Sequence, residues 1–157
     1  FTPDYLYDFF SELYGIPTDR RDARKRMLFA RFGIQEFAQV RVRDLSTGMK
    51  QKVSLVISLV QDPEIIIFDE PTNGLDILTA KVVTDFLLDL KEQGKTIIIS
   101  THIFSLVEKI CDRVGIIING RMAACEDLRT LCGDKSLEDR FFEIYEAVNG
   151  EDENHDK

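Results

Sequence analysis

The stretch Ile65-Ile66-Ile67-Phe68-Asp69-Glu70 decides the fold of this chain of 157 residues. Its first four residues are all apolar, and Pro63 and Pro71 bound the run. A short apolar run without alternation is typical of a parallel strand that is buried on both faces. Two carboxylates follow at the carboxyl end of the strand, and open α/β sheets bind ligands at that edge.

The sequence downstream completes a βαβ unit. Apolar residues recur at helical spacing over residues 77–93, and Gly94 ends that pattern. A second apolar run, Thr96–Ser100, then predicts another buried strand. Strand, helix and strand at this spacing indicate parallel pairing and an α/β fold.

Three helices are predicted before this unit, each beginning at a residue whose side chain can accept a backbone hydrogen bond. The predicted N-caps are Thr2 or Asp4, Thr18, and Ser46 or Thr47. The third helix is expected to close at Asp62-Pro63, because proline cannot continue a helix.

A hairpin and two further helices are predicted after the βαβ unit. Asn119-Gly120 favours a type I′ turn between strands at Val114–Ile118 and Arg121–Cys125. The predicted helices cover residues 126–132 and 136–148. The acidic tail Gly150–Lys157 is expected to be disordered.

Composition excludes several classes of protein. With 20 Lys and Arg against 28 Asp and Glu, the formal net charge is −8, which disfavours a domain built to bind nucleic acid. No apolar stretch approaches the roughly 18 residues of a membrane span, and no secretory signal opens the chain. Three cysteines without a CxxC pair indicate reduced thiols in a cytosolic protein.

Asp69 and Glu70 carry the first chemical hypothesis. A strand-terminal Asp holds Mg²⁺ in phosphate-loop nucleotidases, and an adjacent Glu can polarise a water for attack. The alternative is that Asp69 caps the next turn and Glu70 is a surface residue. His102 also has two interpretations, a functional imidazole or an ordinary histidine at a strand end.

Three sequence motifs, which follow one another along the chain, favour the functional interpretations of Asp69, Glu70 and His102. They are Leu45–Gln51 (LSTGMKQ), Ile65–Asp76 and Ser100-Thr101-His102. Together they resemble the ATP-binding cassette (ABC) family of transporter ATPases over Phe1 to about Val148, with the greatest likeness to bacterial exporter cassettes of the sodium and multidrug efflux type. The resemblance implies a parallel sheet like that of P-loop nucleotidases, with a helical subdomain.

The segment Leu45–Gln51 matches the signature sequence of the family. In that family, Ser and Gly of the signature contact the γ-phosphate of ATP bound to the opposite subunit, which implies this role for Ser46, Thr47 and Gly48. The positive end of a helix dipole also attracts phosphate. Thr47 and Met49 depart from the typical Leu-Ser-Gly-Gly-Gln.

The other two motifs imply the roles of the remaining site residues. Asp69 matches the residue that holds Mg²⁺ through water, and Glu70 matches the general base that orients the attacking water. Asn73–Asp76 matches the loop that crosses the dimer interface, which implies that Asp76 contacts nucleotide in trans. His102 matches the switch histidine that senses γ-phosphate. The implied cofactors are ATP and Mg²⁺.

The pattern Gly-x-x-x-x-Gly-Lys-Ser/Thr of a phosphate loop occurs at none of the nine glycines. Gly94-Lys95-Thr96 is not such a loop, because Asp89 stands in place of the first glycine and a strand follows. We therefore expect a cassette truncated at its N-terminus. The expected position of the missing phosphate-loop strand is between Thr96–Ser100 and Val114–Ile118.

The expected domains are a helical signature subdomain at residues 1–60, an α/β core at 61–125, and C-terminal helices with an acidic tail at 126–157. The expected function is that of a fragment of a transporter's ATP-hydrolysing subunit. Expected partners are permease subunits and a second cassette, without nucleic acid and without a membrane span of its own. The expected location is cytoplasmic, on the inner face of the cell membrane.

Two alternatives remain open. The first is a soluble cassette ATPase that acts on ribosomes or DNA; Asn73-Gly74 argues against the ribosome-acting group, which typically carries His after that Asn. The second is an inactive interaction fragment.

Overall fold

The chain divides into two units, Phe1–Ser100 and a second unit that begins at Thr101. A computed structural model describes residues 1–155, with side chains for residues 1–150. The domain boundaries expected after residues 60 and 125 stay a prediction.

Four helices and two strands form the first unit. The helices are α1 (Pro3–Leu13), α2 (Thr18–Phe32), α3 (Thr47–Ser58) and α4 (Ile77–Glu92). The strands are β1 (Ile65–Asp69) and β2 (Thr96–Ser100). Two short 3₁₀ turns, Ile34–Phe37 and Val42–Asp44, connect α2 to α3.

The predicted βαβ unit is confirmed. Strands β1 and β2 pair in parallel with Ile65 opposite Thr96 and Asp69 opposite Ser100, and α4 is the crossover. The prediction that both strands are buried is wrong. In β1, Ile66 and Phe68 are buried, whereas Ile67 is 72% exposed. In β2, Thr96, Ile98 and Ser100 are exposed. Successive side chains of a strand point to opposite faces, and only one face of this sheet is covered within the first unit.

The predicted N-caps have mixed outcomes. Thr2 accepts a hydrogen bond from the Tyr5 N–H at 3.2 Å, and Ser46 accepts one from the Met49 N–H at 3.3 Å, which confirms both caps. The prediction that Thr18 caps α2 is wrong, because Thr18 is already helical and Pro17 precedes it.

Helix α3 ends at Ser58, four residues before the predicted closure at Asp62. A polar junction links its end to the sheet. Arg24 of α2 donates through Nε to the Leu59 carbonyl at 3.0 Å and pairs with Asp62 at 2.9 Å. Lys95, directly before β2, donates to the Asp62 carbonyl at 3.2 Å. Asp62 therefore joins α2, the segment after α3 and the start of β2.

The second unit contains a hairpin and three helices. They are α5 (Phe104–Ile110), β3 (Arg113–Ile118), β4 (Arg121–Asp127), α6 (Leu128–Cys132) and α7 (Leu137–His155). Strands β3 and β4 are antiparallel. Asn119 and Gly120 have φ angles of 50° and 73°, as a type I′ turn requires, so the predicted turn is confirmed.

The hairpin and helices of this unit share an apolar core. Its fully buried members are Ile116, Ile118, Leu131 and Leu137. Helix α7 continues to His155, so the expected disorder is wrong for residues 150–155, while Asp156 and Lys157 lie outside the described residues. No helix described between residues 1 and 155 is long and apolar enough to cross a membrane.

Helix α4 offers a matched test of the core of the first unit. Leu87 is 2% exposed, whereas Leu78 on the same helix is 77% exposed. We expect Leu87→Ala to lower the free energy of unfolding by about 2–5 kcal/mol, because it removes buried methyl groups and leaves a cavity. Leu78→Ala should change it by less than about 0.5 kcal/mol. Urea denaturation followed by circular dichroism compares the two, and equal losses would contradict the packing of α4.

Candidate functional site

The two carboxylates lie where the paired strands end. Asp69 is the last residue of β1, and the register places it opposite Ser100, the last residue of β2. The Ser100 hydroxyl donates a hydrogen bond to Asp69 Oδ1. The Glu70 N–H donates to the Ser100 carbonyl at 2.9 Å, which extends the ladder by one residue. Asp69, Glu70 and Ser100 thus form one hydrogen-bonded group.

Glu70 has a left-handed backbone with φ of 46°. Such a conformation costs a residue with a side chain about 1–3 kcal/mol, and it persists where the surrounding structure fixes it. Two backbone hydrogen bonds fix it here, from Glu70 N–H to the Ser100 carbonyl and from Asn73 N–H to the Glu70 carbonyl at 3.1 Å. Glu70 therefore ends the strand and turns the chain into the following loop.

That loop lies against the first turn of α3. A methyl group placed on Gly48 would be 3.8 Å from Leu75 Cδ2 and 3.9 Å from the Gly74 carbonyl oxygen. A methyl group on Gly74 would be 4.0 Å from Thr47 Cγ2. The structure therefore brings the predicted signature residues Thr47 and Gly48 together with the predicted interface loop.

Ser46 caps this end of α3, and both Ser46 and Thr47 are exposed. The first N–H groups of a helix have no partner within the helix, and the helix dipole gives this end a partial positive charge. The Ser46 hydroxyl accepts from one of these groups, that of Met49. The exposed first turn of α3 has the chemistry of an anion-binding surface.

Asp76 has a structural role that its sequence position did not reveal. It is the N-cap of α4, accepting from the Thr79 N–H at 3.0 Å through Oδ1 and from the Thr79 hydroxyl at 2.7 Å through Oδ2. The Thr79 hydroxyl, followed by its N–H, lowers the pKa of the Asp76 carboxyl below the ordinary value of 3.8. Both carboxylate oxygens serve the cap, and the nucleotide contact stays a prediction.

His102 belongs to the second unit. It is exposed and lies between β2 and α5 along the chain. The Thr101 hydroxyl accepts from the Ile103 N–H at 3.2 Å, so a local turn encloses His102. The assignment of His102 as a phosphate sensor stays a prediction.

Comparison with known proteins shows what this chain is similar to. A family model described as ABC transporter matches residues 6–73. The ABC transporter ATP-binding protein NatA of Bacillus subtilis (strain 168) is 39% identical over 131 residues, which are 83% of this chain and 53% of NatA. A solved structure of the ATP-binding subunit of an ABC transporter has a TM-score of 0.86 and 28% identity, covering 92% of this chain and 62% of that one. Over most of its length, this chain is similar to ABC transporter ATP-binding proteins.

Other proteins that this chain is similar to carry the names of exporters. The fluoroquinolones export ATP-binding protein of Mycobacterium tuberculosis (strain H37Rv) is 36% identical over 118 residues, which are 75% of this chain and 38% of that protein. The chain spans about half of the length of NatA. The α/β fold predicted for an ABC cassette is confirmed.

The carboxylates of Asp69 and Glu70 suit one kind of metal site. Across the described residues, no three or more His, Cys, Asp or Glu side chains cluster as a protein-only metal site. Mg²⁺ is usually held by one or two carboxylates together with waters and phosphates of the substrate. The exposed Asp69 carboxylate, at the carboxyl end of β1 beside Glu70, fits this second arrangement.

Sequence reasoning did not assign Ser100 to the site. Its position in the motif Ser100-Thr101-His102 was evident, but its contact with Asp69 depends on the strand register. A hydroxyl at the end of the second strand was the available signal. Two parallel runs of equal length, both ending in a polar residue, bring those residues side by side.

The Asp76 cap gives a stability test. We expect Asp76→Ala to lower the melting temperature by about 2–4 °C, because the first turn of α4 loses its side-chain acceptor. Asp76→Asn keeps an acceptor and should lose less. Thermal unfolding followed by circular dichroism measures both variants, and equal stability of wild type and Asp76→Ala would contradict the cap.

The lowered pKa of Asp76 predicts a pH dependence. The ionised carboxylate contributes its full stabilisation above pH 3.8, and this contribution is lost as the pH falls through the lower pKa of the folded state. Wild type should therefore lose more stability between about pH 6 and pH 3 than Asp76→Asn, which cannot titrate there. Urea denaturation at both pH values checks this, and parallel losses in the two proteins would contradict it.

Proposed function

We propose that this chain is part of the ATP-binding, ATP-hydrolysing subunit of a membrane ABC transporter. The observation that carries the proposal is the group formed by Asp69, Glu70 and Ser100 at the carboxyl end of a parallel strand pair. The names of its relatives, among them a transporter ATP-binding protein and an exporter subunit, support a role in transport. In this proposal the intact protein couples ATP hydrolysis to transport through a partner permease, on the cytoplasmic face of the membrane.

Each carboxylate has a distinct proposed role. Asp69 would hold Mg²⁺ through a water molecule, and the metal, when bound, would offset the negative charge of the phosphates. Glu70 accepts a hydrogen bond from the attacking water and takes its proton, so that the water attacks the γ-phosphate and ADP leaves. The fixed backbone of Glu70 supports this role, because a base must be held in place to orient a water. His102 is proposed to contact the γ-phosphate.

The signature residues are proposed to act on a second cassette. Ser46, Thr47 and Gly48 would bind the γ-phosphate of ATP held by the opposite subunit, with Asp76 nearby in the interface loop. Two features support this role: the exposed first turn of α3 has the polarity that attracts phosphate, and it contacts the loop that follows Glu70. That loop joins the signature to the hydrolytic carboxylates within one chain.

The phosphate loop is proposed to lie in the intact protein and outside this sequence. The chain spans 53% of NatA, and its nine glycines include no phosphate-loop pattern. On this proposal the 157-residue chain alone binds ATP negligibly.

Removal of the proposed base tests the hydrolytic role. In the full-length protein, Glu70→Gln should reduce steady-state phosphate release by at least about 100-fold, while ATP still binds. Glu92→Gln is the matched control, because Glu92 is exposed at the end of α4 and should leave hydrolysis unchanged. Hydrolysis by Glu70→Gln at the rate of Glu92→Gln would overturn the assignment.

A charge placed in the signature tests the action in trans. Gly48→Asp should abolish dimerisation that depends on ATP, because the new carboxylate repels the γ-phosphate across the interface. Gly48→Ala is the control, since a methyl group there meets its neighbours at ordinary contact distances of 3.8 and 3.9 Å. Static light scattering of the full-length protein with ATP measures both variants. Unchanged dimerisation of Gly48→Asp would refute the role.

A further inference from the structure

We propose that Ser100 is a positioning residue that holds the Asp69 carboxylate in the orientation required for Mg²⁺. The proposal rests on the function proposed above. Its structural basis is that one residue of β2 contacts both carboxylate-bearing residues at the carboxyl end of β1, Asp69 and Glu70. The Ser100 hydroxyl donates to Asp69 Oδ1, and the Ser100 carbonyl accepts from the Glu70 N–H at 2.9 Å.

The parallel register makes this contact possible. Asp69 and Ser100 are paired, and both occupy the face of the sheet whose side chains are exposed. The preceding residue of β2, Ile99, points to the opposite face because side chains alternate along a strand. Within β2, Ser100 is therefore the residue whose side chain is opposite Asp69 on the shared face.

An exposed carboxylate needs such a partner to keep one orientation. Asp69 is exposed, so buried neighbours do not lock its side chain. A hydroxyl that donates to one carboxylate oxygen favours one orientation of the carboxylate, because the hydrogen bond is directional. With Oδ1 held by Ser100, Oδ2 remains as the acceptor for a water bound to the metal. Outer partners of this kind typically change metal affinity by about 10–100-fold when they are removed.

Because the side chains of Ser100 and Asp69 are exposed, an effect of Ser100 on the Asp69 orientation can be measured apart from an effect on stability. Because Ser100 and Asp69 are both exposed, their hydrogen bond competes with water and adds little to the stability of the fold. Ser100→Ala should therefore leave the melting temperature within about 2 °C of wild type. An effect on metal-dependent binding without an effect on folding distinguishes a positioning residue from a structural one.

The experiment compares three variants of the full-length protein. Ser100→Ala removes the hydroxyl, Ser100→Thr retains it, and Thr96→Ala removes a hydroxyl from the same face at the other end of β2. Calorimetric titration with ATP, in Mg²⁺ and then in EDTA, gives the gain in affinity due to the metal. Ser100→Ala should reduce that gain by about 10-fold and raise the Mg²⁺ concentration for half-maximal hydrolysis similarly. Ser100→Thr and Thr96→Ala should stay within about 3-fold of wild type.

A second readout needs no nucleotide. In the full-length protein without nucleotide, the ¹³C resonance of the Asp69 carboxyl should shift in Ser100→Ala and stay unchanged in Thr96→Ala. An unchanged resonance in Ser100→Ala would overturn the positioning role. If the resonance shifts but wild type gains no ATP affinity from Mg²⁺, the proposed function fails and the positioning role fails with it. If wild type gains affinity from Mg²⁺ and Ser100→Ala gains as much, only the positioning role is overturned. Loss in both Ser100→Ala and Ser100→Thr also overturns it.

Discussion

The site depends on the parallel register of β1 and β2, which ends both strands at the same level. The register pairs Asp69 with Ser100, and the ladder continues for one more hydrogen bond to the Glu70 N–H. A slip of one residue would turn the Asp69 carboxylate away from the serine hydroxyl, because strand side chains alternate between faces. The buried side chains of Ile66 and Phe68 set this register, since the same slip would expose them. The register of β1 and β2 therefore determines both the packing of the core and the geometry of the site.

Helix ends connect this edge of the sheet to the signature. The left-handed turn at Glu70 directs the chain into a loop whose residues Gly74 and Leu75 lie beside Gly48. The loop then ends at Asp76, which caps α4 through both carboxylate oxygens. A short segment thus begins at the proposed base, contacts the proposed phosphate-binding turn of α3 and starts the crossover helix.

Local chemistry was predictable from the sequence, and long-range packing was less so. The βαβ unit, the caps at Thr2 and Ser46, and the type I′ turn were predicted because each depends on a few adjacent residues. The burial of β1 on both faces was wrongly expected, since composition does not say which face is covered. The contact between Ser100 and Asp69 was not foreseen, because 31 residues separate them and only the register joins them. The roles of His102 and Asp76 at nucleotide stay predictions.

In the proposed function, the edge formed by Asp69, Glu70 and Ser100 holds the metal of a nucleotide site. Cleavage of the full-length protein by Fe²⁺ substituted for Mg²⁺ tests it most directly, because hydroxyl radicals cut the backbone beside the bound metal. With ATP and ascorbate, we expect cuts next to Asp69 and Glu70 that disappear when ATP is omitted. Mass spectrometry of the fragments locates the cuts. Cleavage confined to other segments, or cleavage at Asp69 that is independent of ATP, would mean that this edge does not hold the metal of a nucleotide site.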